Sequence, residues 1–145
     1  MSCALIRRSR PGMRGAALVE FALAWPVALF LALGCVELAV WGAESFSARS
    51  AALTGARAAS VAGSDPEVAA AVTLRVLSPS LVGAAAGAWC PGQSGHPPAV
   101  WVCAIDLGSS VQVDIGGSVP SLVTIVPGGG LPLRAHAVLR KEIFR

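Results

Sequence analysis

The chain is short of charge. Only 13% of its 145 residues are Asp, Glu, Lys or Arg, against about 25% in an ordinary soluble domain. Hydrophobic residues make up 54%, and the mean hydropathy is +0.68. That deficit favours a membrane-attached protein over a soluble enzyme. Basic residues are unevenly placed. Residues 1–15 carry Arg7, Arg8, Arg10 and Arg14 with no acid, a charge of +4, whereas residues 16–145 hold seven basic and eight acidic side chains, a charge of −1. The formal +3 of the whole chain is a tail rather than a basic face, and it excludes a nucleic-acid interface of the usual electrostatic kind. The ten arginines to one lysine, with abundant alanine, glycine and proline, fit a GC-rich coding sequence.

The residues that carry chemistry are scarce too. The histidines are two, His96 in G-H-P-P and His136 near the end. Zinc sites need clustered ligands at short fixed spacings. Cys90 and Cys103, with one histidine between them, form no such cluster, so no metal is expected. Ser94 and the other serines lack a G-x-S-x-G setting. The glycines at 128–130 lack the lysine and the strand-to-helix context of a phosphate loop. Asp106 and Asp114 could form a carboxylate pair on neighbouring strands, but exposed strand carboxylates are far more often solvated than catalytic. No enzyme reading survives, and no cofactor is implied.

What the chain has instead is one long apolar run. Between Glu20 and Glu37 lie sixteen uncharged residues. Residues 16–41 would make about 39 Å of helix at 1.5 Å per residue, where the hydrocarbon core needs about 20 residues. The run can span a membrane, with Glu20 at the inner interface and Glu37 at the outer one. Trp41 is placed as an interfacial anchor; Trp25 is either a second anchor or, lying deeper, a packing residue. Pro26 removes a backbone hydrogen bond and should kink the helix. The arginines ahead of the run hold that end in the cytoplasm, which puts the C-terminal part outside. Three readings compete. A buried core helix would be unusual at this length. A cleaved secretory signal would have a shorter apolar core and a small-residue site, and no good site follows. A lipoprotein signal at A-L-G-C, residues 32–35, would enclose Glu20, with its leucine one place early.

Beyond the run, residues 42–63 continue as an alanine-rich helix to about Val61. Phe46, Leu53 and Ala56 or Ala59 fall at helical spacing, and Arg49 and Arg57 lie off that stripe. Gly34, Gly42, Gly55 and the alanines would allow close helix approach. A second helix starts at S-D-P-E, either with Asp65 capping ahead of Pro66 or with Ser64 and Glu67 as a capping box. Its apolar stripe reads Val68, Val72, Val76 and Leu77, and Pro79 ends it. Residues 78–98 read as loop from their proline, glycine and serine content. Then the period changes to two. Residues 100–107 read as a mostly buried strand, 108–110 as a turn, and Val111, Val113 and Ile115 as a half-buried strand. Residues 122–126 are either a strand or an apolar loop near the membrane surface. Residues 131–140 alternate into a final strand, at an edge because Pro132 lacks an N–H. Cys90 and Cys103 have twelve residues between them. A disulfide there is chemically allowed if this part lies outside the cytoplasm, with a gain on the order of 3 kcal/mol.

Gly15, then A-A-L-V-E, then F-A-L-A-W-P resembles the class III signal of type IV prepilins. That signal has a basic leader, a glycine before the cut, a glutamate at the fifth mature position and an apolar helix. More closely, R-G-A-A-L-V-E-F-A-L-A-W-P-V-A-L-F-L resembles the opening of TadE-like proteins, minor pseudopilins of tight-adherence, Flp-type pilus systems. The likeness continues through A-A-L-T-G-A-R-A-A-S-V-A, residues 51–62, and returns in L-R-A-H-A-V-L-R-K-E, residues 133–142. It implies cleavage by a prepilin peptidase between Gly15 and Ala16. Glu20 and Phe21 then serve assembly, and the new amino group at Ala16 pairs with Glu20 of its own or a neighbouring helix. Alanine stands at position 16, where many prepilins have an aromatic residue. The implied partners are membrane lipid, the peptidase and other pilins or pseudopilins.

The expectation is an α+β protein of three segments. A basic leader spans 1–15, a transmembrane helix continuing outside spans 16–62, and an extracytoplasmic domain spans 63–145, with a short helix and a small antiparallel sheet of three to four strands. Its expected function is pilus assembly; the alternatives are an uncleaved envelope anchor and a secreted binding domain.

Overall fold

The computed structural model describes residues 13–61, 65–121 and 129–142. Among the described residues two helices and four strands follow in order: α1 Met13–Ser60, α2 Pro66–Leu77, β1 Ala86–Ala88, β2 Val100–Asp106, β3 Ser110–Pro120 and β4 Gly130–Arg140. A 3-10 turn, Ser78–Ser80, closes α2 at Pro79. The protein is α+β, and the chain divides into two units, Met1–Val36 and Glu37–Arg145. The expected leader lies largely outside the described residues, as do the 122–126 run, Ser64 and the stop at Gly63.

The first unit holds the N-terminal part of α1. Leu18, Phe21, Leu23, Trp25, Phe30 and Leu33 are all more than half exposed, and the helix runs through Pro26. A helix that is apolar all round has to be buried in something. By length and composition, Ala17–Ser60 contains a candidate membrane span.

The second unit is built on small residues. Ala48, Ala51, Ala52, Ala56 and Ala59 are fully buried along the outer part of α1, at spacings of three and four. Gly55 lies in the same stripe, and a Cβ there would overlap the Thr73 hydroxyl and stand 2.7 Å from the Ala69 carbonyl oxygen. Ala69, Thr73 and Leu77 are the buried face of α2. Thr73 satisfies its own hydroxyl by donating to the Ala69 carbonyl at 2.7 Å. This contact corrects two expected stripes. Ala56, Ala59 and Leu77 of those stripes are buried as expected, whereas Phe46 and Leu53 on α1, and Val68 and Val76 on α2, are exposed. The backbones approach too closely for large side chains, so the faces that meet are those with alanine, glycine and threonine.

Against the helices lies one face of a four-stranded sheet in the order β1-β2-β3-β4. Val100, Val102, Val111, Val113, Ile115, Val119, Leu133, Ala135 and Ala137 bury that face and join the helix alanines in a single core. β2, β3 and β4 form the expected antiparallel meander, and β4 is an edge. The sheet is mixed rather than purely antiparallel, because β1 pairs with β2 in parallel. β1 falls where loop was expected. Ala-Gly-Ala has no alternation to read, and its strand geometry comes from the edge that β2 offers, with Val100 N donating to the Ala85 carbonyl and Trp89 N to the Val102 carbonyl. α2 starts as the D-P-E signal predicts, with Asp65 at the cap position and Pro66 in the first turn, although the Asp65 side chain makes no capping hydrogen bond.

Candidate functional site

Helix α1 carries Gly15, Ala16, Glu20 and Phe21 in its first turns. The helix begins at Met13, so the Gly15–Ala16 peptide bond lies inside it. Gly15 is exposed, with no atom within 4 Å of where a Cβ would stand. Its N–H belongs to the first turn, where backbone donors have no intrahelical acceptor. Phe21 is 65% exposed and stacks on Trp25 one turn later, with ring centroids 5.9 Å apart. Glu20 is exposed, and among the described residues it has no hydrogen-bond or ion-pair partner. It is the one charge between Gly15 and Glu37. An unpaired carboxylate on an apolar helix is costly wherever the helix is taken into lipid, and a nearby cation removes most of that cost.

The second unit holds Cys90 and Cys103 in a disulfide with Cα atoms 4.7 Å apart. The bridge ties the segment after β1 to the middle of β2. Cys35, in the apolar run, is a free thiol and exposed.

Two polar contacts went unforeseen. Glu44 is only 3% exposed, and its carboxylate accepts a hydrogen bond from the Val82 N–H at 2.8 Å. Trp41 donates its indole N–H to the Pro132 carbonyl at 3.0 Å. The Trp41 ring also packs against the core, so it has a protein partner beyond the expected interfacial role. These contacts tie one stretch of α1 to β4 and to the segment after α2. The available signal was spacing: Trp41, Glu44 and Ala48 lie three and four apart, on the face that the alanines continue.

The polar strand residues sort into separate pairs. Asp106 and Asp114 are not partners. Lys141 donates to Asp106 at 2.6 Å and the Gly108 N–H donates to the same carboxylate at 2.8 Å. Together they hold the Asp106 carboxyl below the usual carboxylate range, the Lys141 hydrogen bond contributing most. Asp114 meets His136 at 2.5 Å and accepts from the Gln112 amide at 2.6 Å. His96 is exposed in its loop. Among the described residues, no group of three or more His, Cys, Asp or Glu could hold a metal ion.

No curated protein and no solved structure matches the chain. A family model does: residues 15–57 match the family of TadE-like proteins. Over that stretch, which carries Gly15, Glu20 and Phe21, the chain is similar to TadE-like proteins.

Proposed function

We propose that the protein is a membrane-anchored pseudopilin that takes part in assembling a Tad, Flp-type adhesive pilus after a prepilin peptidase cuts it between Gly15 and Ala16. The observation that carries this reading is Glu20, without a partner among the described residues, five residues past Gly15 on an exposed apolar helix that matches the TadE-like family. Hydrolysis of the Gly15–Ala16 bond leaves a carboxylate on the leader and an α-amino group on Ala16. That amine, with an ordinary pKa near 8, is protonated at neutral pH. It supplies the cation that Glu20 needs, on its own helix or on a neighbour's. The first helical turn opens at little cost, since its donors are unsatisfied and glycine disfavours helix by about 1 kcal/mol relative to alanine. Peptidase access follows from that weakness. The arginine-rich leader stays in the cytoplasm and the second unit lies outside. The disulfide supports this orientation, because such bonds persist in oxidising compartments.

The experiment is N-terminal sequencing of the mature protein, with Gly15→Leu alongside. A start at Ala16, lost in the variant while membrane insertion persists, is the expected outcome. A start at Met1 or Ser2 makes the helix an uncleaved anchor, and a start beyond Trp41 makes the second unit a secreted domain.

A further inference from the structure

Strand register determines what stands on the face of the sheet opposite the core. Trp101 pairs with Gly116, and Gly116 with Arg134; in the next row Cys103 pairs with Asp114, and Asp114 with His136. Gly116 leaves room for Trp101. Three atoms of the indole six-membered ring crowd the space that a Cβ at Gly116 would fill. Trp89 meets Trp101 edge-on with centroids 6.0 Å apart, and the disulfide holds the segment that carries Trp89. The Trp101 ring is thus wedged in place before any ligand arrives. Beside it opens a cleft of about 610 Å³, bordered by Trp101, Asp114, Gly116, Pro132, Arg134 and His136. Binding sites for small ligands occupy about 300–1,000 Å³.

The polar groups of this cleft are unequally committed. Both Asp114 oxygens are engaged, one with His136 Nδ1 and one with the Gln112 amide. Arg134 is exposed and, among the described residues, has no hydrogen-bond or ion-pair partner. Asp114 is thus satisfied by its hydrogen-bond partners, which leaves Arg134 as the uncommitted charge next to an aromatic ring. We infer that this cleft is a binding site for a carboxylated sugar, a uronate unit of an acidic oligosaccharide. The C–H face of a pyranose stacks on an indole, whose electron-rich face attracts polarised hydrogens. The guanidinium fork matches one carboxylate bidentately. A single monoanion balances the single free cation, whereas a dianionic phosphate would face the Asp114 carboxylate with excess negative charge. The cleft borders edge strand β4, so a chain of sugars can continue past it.

The test is isothermal titration of the full-length protein in detergent micelles with tetragalacturonate, and with cellotetraose as the neutral tetrasaccharide of equal length. Saturable binding of the acidic sugar is expected, with Kd in roughly the millimolar range for so few contacts. Arg134→Gln should weaken it about tenfold, as loss of a charge-assisted hydrogen bond does. Arg134→Lys, which keeps the charge without the fork, should fall between. Arg134 is exposed, so both variants should keep the wild-type thermal midpoint, and Trp101→Phe serves as a second variant that reduces the ring without emptying the wedge. Equal binding of cellotetraose, wild-type affinity in Arg134→Gln, or no saturable binding of tetragalacturonate would each overturn the proposal.

Discussion

The two parts of α1 are one helix with opposite uses of side-chain size. In the first unit leucine, phenylalanine and tryptophan point outward all round, and the described side chains up to Leu33 are exposed. In the second unit the large residues also point outward, Phe46 at 75% exposure, but the opposite face is a row of fully buried alanines. Small residues are what α2 and the sheet are built against. The lesson concerns where each part finds its partner. The outer part meets its partner within this chain, through close backbone approach. The N-terminal part has no protein partner among the described residues of its own unit, and the proposed function gives its apolar surface to lipid and to other helices.

The most direct way to break the comparison is to give the outer part a large inward side chain. Gly55→Leu places carbon where the Thr73 hydroxyl and the Ala69 carbonyl already stand. The expected loss is about 3 kcal/mol or more, at the upper end for overpacked cores, read as a collapse of the thermal midpoint of the disulfide-bonded domain. Gly34→Leu, where nothing lies within 4 Å of a Cβ, should leave that midpoint unchanged. Equal effects at the two glycines would erase the distinction between the two parts.

Next in size is the bridge. Removing it with Cys90→Ser and Cys103→Ser together should cost about 2–5 kcal/mol, as for other small domains. Hydrogen exchange should rise first in β1, whose three residues rest on one neighbouring strand. If β1 stays as protected as β3, the bridge is not what holds that edge. Glu44→Ala should cost about 1–3 kcal/mol, since it leaves the Val82 N–H without its buried acceptor, while Glu44→Gln, which can still accept, should cost less. Phe46→Ala, on the outward face of the same turns, should stay within about 0.5 kcal/mol. Denaturant titration of the three variants separates the faces of the helix.

Legibility in the sequence follows the same division by size. Elements written in large residues were readable: the apolar run, the alternation of Val111, Val113 and Ile115, and the final strand placed at an edge by Pro132. The start of α2 was readable from local chemistry at Asp65 and Pro66. The alanine face was legible only in part: Gly55 and the alanines signalled close helix approach, but not the side on which it occurs. Alanine carries little hydrophobic signal, so a periodicity argument follows Phe46, Leu53, Val68 and Val76 instead and selects the exposed sides. Close packing rewards the absence of a side chain, which leaves no pattern of bulk to follow. β1 was hidden because Ala-Gly-Ala is strand only by pairing. Glu44 was hidden because a helical glutamate ordinarily reads as solvated. The candidate assembly residues Gly15, Glu20 and Phe21 were nominated by a local signature, and the helix expected to carry them is observed. The cleft beside Trp101 depends on the register of three strands, which no local pattern encodes.

The smallest expected effect lies at the far end of the sheet. Asp106 is held below the ordinary carboxylate range by Lys141 and then by the Gly108 N–H. A carboxyl depressed in the folded state binds its proton less readily there than in the unfolded chain. Its contribution is fully present above the unfolded carboxylate range and is lost as pH falls through the folded pKa. Asp106→Asn should therefore lower the thermal midpoint slightly at neutral pH, and the gap to wild type should close on acidification. The gap should also shrink in high salt, because the pair is open to solvent. No gap at neutral pH would mean that Asp106 acts through the Gly108 turn alone, since asparagine loses the charge but keeps an acceptor for that N–H. The outcome bears on the contrast between the two units: Asp106 of the second unit already has Lys141 within the chain, whereas Glu20 has no ion-pair partner among the described residues.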